Sequence, residues 1–236
     1  MRLPEDGKKV AVGFSHLKQE ISLQRFGSGQ LKVLLLGGVH GNESEGFLFI
    51  EKFLEEIESG EMNFAQEISL FVCPRVNPDG CAVVRRTNHR NVDLNRNLPT
   101  RDWTETFTDL RYYPGPSAGS EPESAATIRM LELIKPDLIL SLHSYEKPMV
   151  NYNGECEDLA KAMSKKNGLI VSGDIGYPTP GSLGTYAGWE RDIPTITLEI
   201  MRGQEPKPVY HQHKEGIVTA IHYYVDHPHP TLAKKN

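Results

Sequence analysis

The chain predicts an α/β sandwich built around a central sheet. Short apolar runs alternate along it with stretches of helical periodicity, the pattern of strands connected by helices. At 236 residues it is long enough to bury one large core without staples. Its 38% hydrophobic and 24% charged residues are those of an ordinary folded protein. Taken in order, apolar runs at 10–14, 31–36, 68–73, 138–142 and 193–200 read as strands. After Gly41-Asn42, the residues Phe47, Ile50, Leu54 and Ile57 recur at helical spacing until Ser59-Gly60 ends the run. Ala125, Ile128, Leu131 and Ile134 mark a second helix over 121–134, which Pro136 stops. Further helices are expected over 155–166 and 211–225. The polar stretch 74–122 is too long for a turn, and loops of that length in a folded domain usually carry function. One domain over 1–236 is expected, with 226–236 a flexible tail ending in His-Pro-His-Pro.

Composition narrows the function. Lys plus Arg is 26 and Asp plus Glu is 31, a net charge of −5, which argues against a nucleic-acid or anionic-membrane binder. No stretch approaches the roughly 18 apolar residues of a membrane span. The opening M-R-L-P-E-D-G-K-K-V lacks the apolar core of a signal peptide, so cytoplasmic residence is expected. Cys73, Cys81 and Cys156 show no C-x-x-C spacing and read as small buried hydrophobes rather than a disulfide or metal set.

Four segments could carry chemistry. In L-L-L-G-G-V-H-G-N-E (34–43) a strand enters a glycine turn, and His40 and Glu43, three apart, fall on one side of the chain. That suits two zinc ligands; equally, Asn42 could cap the helix and Glu43 sit at its positive end. In L-I-L-S-L-H-S-Y (138–145) His143 closes an apolar strand, where ligands gather in open α/β sheets, or it merely bonds a neighbouring carbonyl. The run R-R-T-N-H-R-N-V-D-L-N-R-N (85–97) concentrates cations in an acidic chain. Arg96 with Asn95 could grip a carboxylate, or the run could be a solvated face paired with Asp93 and Asp102. In T-I-T-L-E-I (195–200) alternation puts Thr195, Thr197 and Glu199 on one face; a carboxylate there needs a salt bridge or a catalytic task.

Together, H-x-x-E, N-P-D-G, R-x-N, V-D-L-N-R-N, a strand-end histidine, Y-P-T-P-G-S and T-L-E, in that order from about 33 to 200, resemble the zinc carboxypeptidase family. The resemblance implies a three-layer α/β/α sandwich around a mixed, mostly parallel sheet. It implies one Zn2+ per chain held by His40, Glu43 and His143. By the same resemblance Arg86, with Arg85 as its rival, stabilises the oxyanion, Asn95 and Arg96 hold the substrate's terminal carboxylate, and Glu199 is general base and acid to a water beside the zinc. Tyr177, with Tyr186 in the same region, matches the family's mobile tyrosine, and Leu183 a lining residue of the side-chain pocket.

The continuous R-x-N-x-R-x-V-D-L-N-R-N run and Y-P-T-P-G-S-x-G are similar to the short bacterial branch of that family acting on cell-wall peptides. The substrate so implied is a small peptide with a free carboxylate, the murein tripeptide, cut between γ-D-glutamate and meso-diaminopimelate. Asp102, Arg111, Glu146 and Arg191 are candidates for setting specificity. An N-acyl-amino-acid deacylase shares H-G-N-E and D-L-N-R, but 36 residues after Ile200 leave little for the β-rich domain such enzymes add. A non-catalytic relative would lack a ligand or the base, and here each has a counterpart. Metal storage through His211, His213, His227 and His229 is the weakest alternative.

Overall fold

The computed structural model describes residues 2–227. Eight strands form one sheet: β1 (Lys9–Phe14), β2 (Glu20–Phe26), β3 (Leu31–Leu36), β4 (Ile68–Cys73), β5 (Leu138–Tyr145), β6 (Met149–Asn153), β7 (Ile170–Ser172) and β8 (Thr195–Met201). Their order is β1-β2-β4-β3-β5-β8-β6-β7. The pairs β4–β3, β3–β5, β5–β8 and β6–β7 are parallel, the other three antiparallel, so the sheet is mixed and mostly parallel. The central strands β3, β4, β5 and β8 are buried on both faces over nearly their whole length because helices cover both, as parallel strands require.

Helices α1 (Ser44–Glu58), α2 (Pro78–Ala82), α3 (Pro122–Ile134), α4 (Glu157–Asn167) and α5 (Pro206–Asp226) complete the layers. Phe49, Phe53, Leu159, Met163, Ile217 and Ile221 of α1, α4 and α5 pack on Val33, Leu35, Leu140, Leu142, Ile196 and Leu198. On the opposite face Ala126, Met130 and Ile134 of α3 meet Leu34, Leu36, Phe71 and Ile139. Alternate residues of each strand therefore feed two cores, which gives the α/β/α layering.

Most expected elements lie within a few residues of their places, and α1 closes at Ser59 as read, with Gly60 at a positive φ. Helix α5 starts five residues early because Pro206 and Pro208 fit a first helical turn. Three strands escape the sequence reading. β2 does alternate, burying Ile21 and Leu23, but apart from Phe26 its other residues are polar. β6 and β7 are only five and three residues long, too short for a period to stand out, and β7 is the edge of the sheet. The expected tail begins at Asp226, the last residue of α5, and its residues from 228 onward, His229 included, lie outside the described ones. His213 is buried in α5 while His211 is exposed, so these two do not assemble a metal set. All three cysteines are unpaired and buried, and burial pushes the thiols of Cys73 and Cys81 up to about 12. No helix among the described residues is long and apolar enough to cross a membrane.

Candidate active site

The carboxyl ends of β3, β5 and β8 bring the candidates together. The chain leaves β3 through Gly37-Gly38 and places His40 just before α1, where Glu43 occupies the helix N-cap position. Asn42 is not the cap; its Oδ1 is buried with no hydrogen-bond partner among the described residues. Gly41 is obligatory for close approach, since a Cβ there would come within 2.0 Å of the Gly80 carbonyl carbon. Asn77 caps α2 by accepting from the Gly80 amide (2.9 Å) and donates to the Val39 carbonyl (3.3 Å), so N-P-D-G braces the turn bearing His40. His143 on β5 and Glu199 on β8 are register partners in a parallel pair, and their side chains share the face toward α3.

Nitrogen and oxygen donors converge here. His40 Nδ1 lies 3.0 Å from Glu43 Oε1, His143 Nδ1 lies 2.9 Å from Glu43 Oε2, and the two Nδ1 atoms are 3.2 Å apart. All three side chains are buried. His40 Nε2 donates its N–H to Asp93 Oδ1 (2.9 Å), because an ionised carboxylate only accepts; that tautomer leaves Nδ1 as a lone pair turned inward. Donors spaced at about 3 Å suit zinc, for a tetrahedron with bonds of roughly 2.0–2.1 Å has edges near 3.3 Å. The set His40–Glu43–His143 thus fits zinc by donor chemistry, burial and spacing.

Electrostatics bind the site to its loop. Burial opposes ionisation of Glu43, but His40 and His143 hold its carboxyl well below the usual range. Burial and Arg86 lower the His40 pKa while Glu43 and Asp93 raise it, and the net direction is upward. Burial also opposes ionisation of Asp93, yet Arg86 and His40 hold it well below the usual range. For Glu199 burial dominates, and Glu43 adds to it against His143, Arg86 and Arg202; its carboxyl is pushed up to about 7.

The two arginines at 85 and 86 separate cleanly. Arg86 donates through Nε and Nη2 to Asp93 Oδ2 (3.1 and 2.8 Å) and through Nη1 to Glu43 Oε1 (3.2 Å). Arg85 turns away and donates to the Asn88 carbonyl. Part of the solvated-face alternative is thereby realised, since Arg86 does pair with Asp93, but in a buried setting. Arg96 is buried in the 3-10 turn Leu94–Arg96 that Asp93 caps through the Asn95 amide (2.9 Å). Its guanidinium lies 5.3 Å from the Tyr112 ring centre and 5.9 Å from that of Tyr177. Asn95 Oδ1 accepts from the Leu183 amide (2.9 Å), while the Leu183 side chain packs into the α3-side core. Gly181, at φ 72°, would drive a Cβ to 2.3 Å from the Arg96 carbonyl, so the Y-P-T-P-G-S segment lies directly on the Arg96 turn.

Tyr177 reaches this wall, with its ring centre 6.1 Å from those of both Tyr112 and Tyr145. Tyr186 instead packs in the core, beneath the Arg191 guanidinium at 3.5 Å. Of the specificity candidates, Arg111 stands at the wall, 4.7 Å from the Tyr112 ring centre, whereas Asp102 accepts from Thr100 Oγ1 (2.6 Å) and Glu146 is exposed.

Two participants had no sequence signal. Tyr112 joins Arg86, Arg96 and Arg111 only through the path of the loop. Arg202, just past β8, donates to Glu43 Oε1 (3.0 Å) and to the Ser144 carbonyl (2.8 Å).

The profile of the zinc carboxypeptidase family (Peptidase_M14) matches residues 2–205, and the chain belongs to that family, a metallocarboxypeptidase-type hydrolase. Among its relatives, murein peptide amidase A of Vibrio campbellii is 32% identical over 179 residues, covering 71% of this chain and 68% of that protein. The Escherichia coli K12 murein peptide amidase A is 31% identical over 182 residues, covering 71% and 70%. The crystal structure of the murein-tripeptide amidase of Escherichia coli O157 superposes with a TM-score of 0.74 at 24% identity, covering 92% of each chain. The carboxypeptidase A of Helicoverpa armigera does so at 0.78 and 18% identity, covering 94% of this chain and 69% of that one. At such identities these two structures speak for the fold, which is that of the zinc carboxypeptidases.

Proposed function

We propose that the chain is a murein peptide amidase, a single catalytic domain resident in the cytoplasm and holding one catalytic zinc on His40, Glu43 and His143. It hydrolyses the amide joining γ-D-glutamate to meso-diaminopimelate in cell-wall peptides. The observation that carries the chemistry is the placement of buried Glu199 beside His143 across β5 and β8, facing the donor trio. The likeness to murein peptide amidases over most of the chain supports the substrate.

Zinc, when bound there, supplies Lewis acidity that polarises a carbonyl and makes water ionisable near neutral pH. The chain supplies the rest. Glu199 accepts the proton of the attacking water and returns it to the leaving nitrogen; a carboxyl raised toward neutrality is matched to both tasks. Arg86 uses three of its five N–H groups on Asp93 and Glu43, leaving two to meet the developing oxyanion. Arg96 and Asn95 hold the free carboxylate of the leaving residue, which makes the site exo-acting. Tyr177, Tyr112 and Tyr145 wall the substrate from water, and Leu183 fixes the amide of Asn95 through its backbone. Arg111, whose Nε is held by Asp109 Oδ2 (2.9 Å), has its remaining N–H groups on the same wall for the second carboxylate that diaminopimelate carries.

Incubation of the zinc-loaded protein with L-Ala-γ-D-Glu-meso-diaminopimelate, and separately with a blocked dipeptide ending in a free carboxylate, tests this by mass. Release of diaminopimelate, lost in Glu199→Gln with zinc still bound, is the expected result. Cleavage of the dipeptide alone would overturn the substrate and keep the mechanism, and inactivity on both would overturn the reading.

A further inference from the structure

A second cluster of metal-type donors lies on the far side of the Arg86 loop. His16 follows β1, Glu121 is the N-cap residue of α3, and Glu123 lies in its first turn. One ligand atom from each falls within 4.8 Å of the others, and His16 Nε2 is 2.8 Å from Glu121 Oε2. Both glutamates are buried, at 1% and 0% exposure. We propose that His16, Glu121 and Glu123 form a second divalent-cation site that fastens the loop carrying Arg86 to α3 and to the turn after β1.

Three observations point to a ligand rather than a closed hydrogen-bond network. The first is charge. Among the described residues neither carboxylate has an ion pair with Lys or Arg, and His16 alone, if protonated, would balance one of the two. The α3 N-terminus offsets part of the rest, but burying carboxylates without a counter-charge is unfavourable. The second is an orphan. Glu123 Oε1 is buried and accepts no hydrogen bond of good geometry among the described residues, although the backbone N–H groups of His16 and Glu123 lie near its carboxyl. Every other carboxylate oxygen of the pair is engaged: Ser120 Oγ donates to Glu121 Oε1 (2.7 Å), and Asn88 Nδ2 donates to Glu121 Oε2 (2.7 Å) and Glu123 Oε2 (3.1 Å).

The third is how the surroundings are set. Asn88 Oδ1 accepts from the amides of Arg90 and Val92 (3.0 Å each), which fixes its NH2 toward the carboxylates as an outer support. His16 keeps 23% of its side chain exposed, an entry route and a place for water ligands. One imidazole nitrogen with two carboxylate oxygens suits zinc, manganese or ferrous iron; calcium prefers an all-oxygen set and soft metals prefer sulfur.

Asn88 stands two residues from Arg86, so an ion here would brace the segment that positions the oxyanion arginine. The inference does not depend on the proposed substrate.

Zinc is the probe. The full chain is stripped with chelator, reloaded, freed of excess and counted by native mass spectrometry. Two zinc ions per chain are expected in the wild type, one in Glu123→Gln and in His16→Ala, and one in His143→Ala. Hydrogen exchange over 85–93 should slow on uptake of the second ion, and the second dissociation constant should rise at least tenfold in Glu123→Gln, which keeps the size of the side chain. One zinc in the wild type that disappears in His143→Ala would overturn the proposal. So would two zinc ions that persist in both His16→Ala and Glu123→Gln.

Discussion

Asp93→Asn is the sharpest test of how the zinc set is held. Every neighbour of the Asp93 carboxylate is a donor: His40 Nε2 and the Asn95 amide at Oδ1 (2.9 Å each), Arg86 Nε and Nη2 at Oδ2 (3.1 and 2.8 Å). An amide replaces one acceptor by a donor, and neither orientation escapes. With NH2 toward Arg86, two charged donors are opposed. With NH2 toward His40, the imidazole must shift its proton to Nδ1, the atom that faces the metal. Leaving a buried donor unpaired costs about 1–3 kcal/mol. Loss of an outer-sphere carboxylate weakens metal binding about 10–100-fold, or roughly 1.4–2.7 kcal/mol. The variant should therefore melt several degrees lower in the metal-free state. Competition titration against a chromophoric zinc chelator should show the weaker affinity. A zinc dissociation constant within twofold of wild type, together with an unchanged melting temperature, would refute the assignment of Asp93 as the group that fixes His40.

Three other outcomes follow from the same geometry. Glu199 must be ionised to accept a proton, so kcat/KM should fall as pH drops through its pKa; the cation moves that limb below the value of about 7 in the metal-free chain, and Glu199→Gln should remove activity across the whole profile. Arg111→Ala should raise KM for the diaminopimelate tripeptide about two- to fivefold, the scale of an exposed ion pair, and leave KM for a peptide with one carboxylate unchanged. His213 is buried with neither ring nitrogen hydrogen-bonded among the described residues, and burial lowers its pKa to about 4. The unfolded chain takes up this proton first as pH falls, so the stability tied to neutral His213 is complete above the unfolded pKa near 6.5 and is lost progressively toward pH 4. By pH 5 the loss is about 2 kcal/mol relative to pH 8, and urea unfolding of His213→Leu at the two pH values should show that part of the acid sensitivity gone. Equal pH dependence in variant and wild type would show that His213 is hydrated in the fold.

How much of this was legible in the sequence depends on the scale over which each group is positioned. His40 and Glu43 are set three residues apart by one turn, so their convergence could be read locally. His143 and Glu199 each announced themselves as a polar group inside an apolar strand, because burying such groups without a task is unfavourable. That they face each other is a matter of parallel register, which no local pattern states. Arg85 and Arg86 are indistinguishable by type and differ only in which way the loop turns them, and the same holds for Tyr177 and Tyr186. The missed strands β6 and β7 are too short for any period to show, so their pairing, not a local pattern, makes them strands.

Asp93 shows why the alternatives were hard to separate. Read as a charge run, 85–97 called for salt bridges, and the bridge from Arg86 to Asp93 exists. What distinguishes a structural ion pair from a site is what else the anion holds. A surface pair would satisfy itself and water, whereas Asp93 spends one oxygen on Arg86 and the other on His40 and the Asn95 amide. Arg202 makes the same point from the other side, since it meets Glu43 from beyond the end of β8 with no motif to mark it. The chemistry of the candidate site is thus written in residue types, but its orientation is set by shared acceptors, and those become visible only when the sheet has brought 40, 93, 143 and 199 to one place.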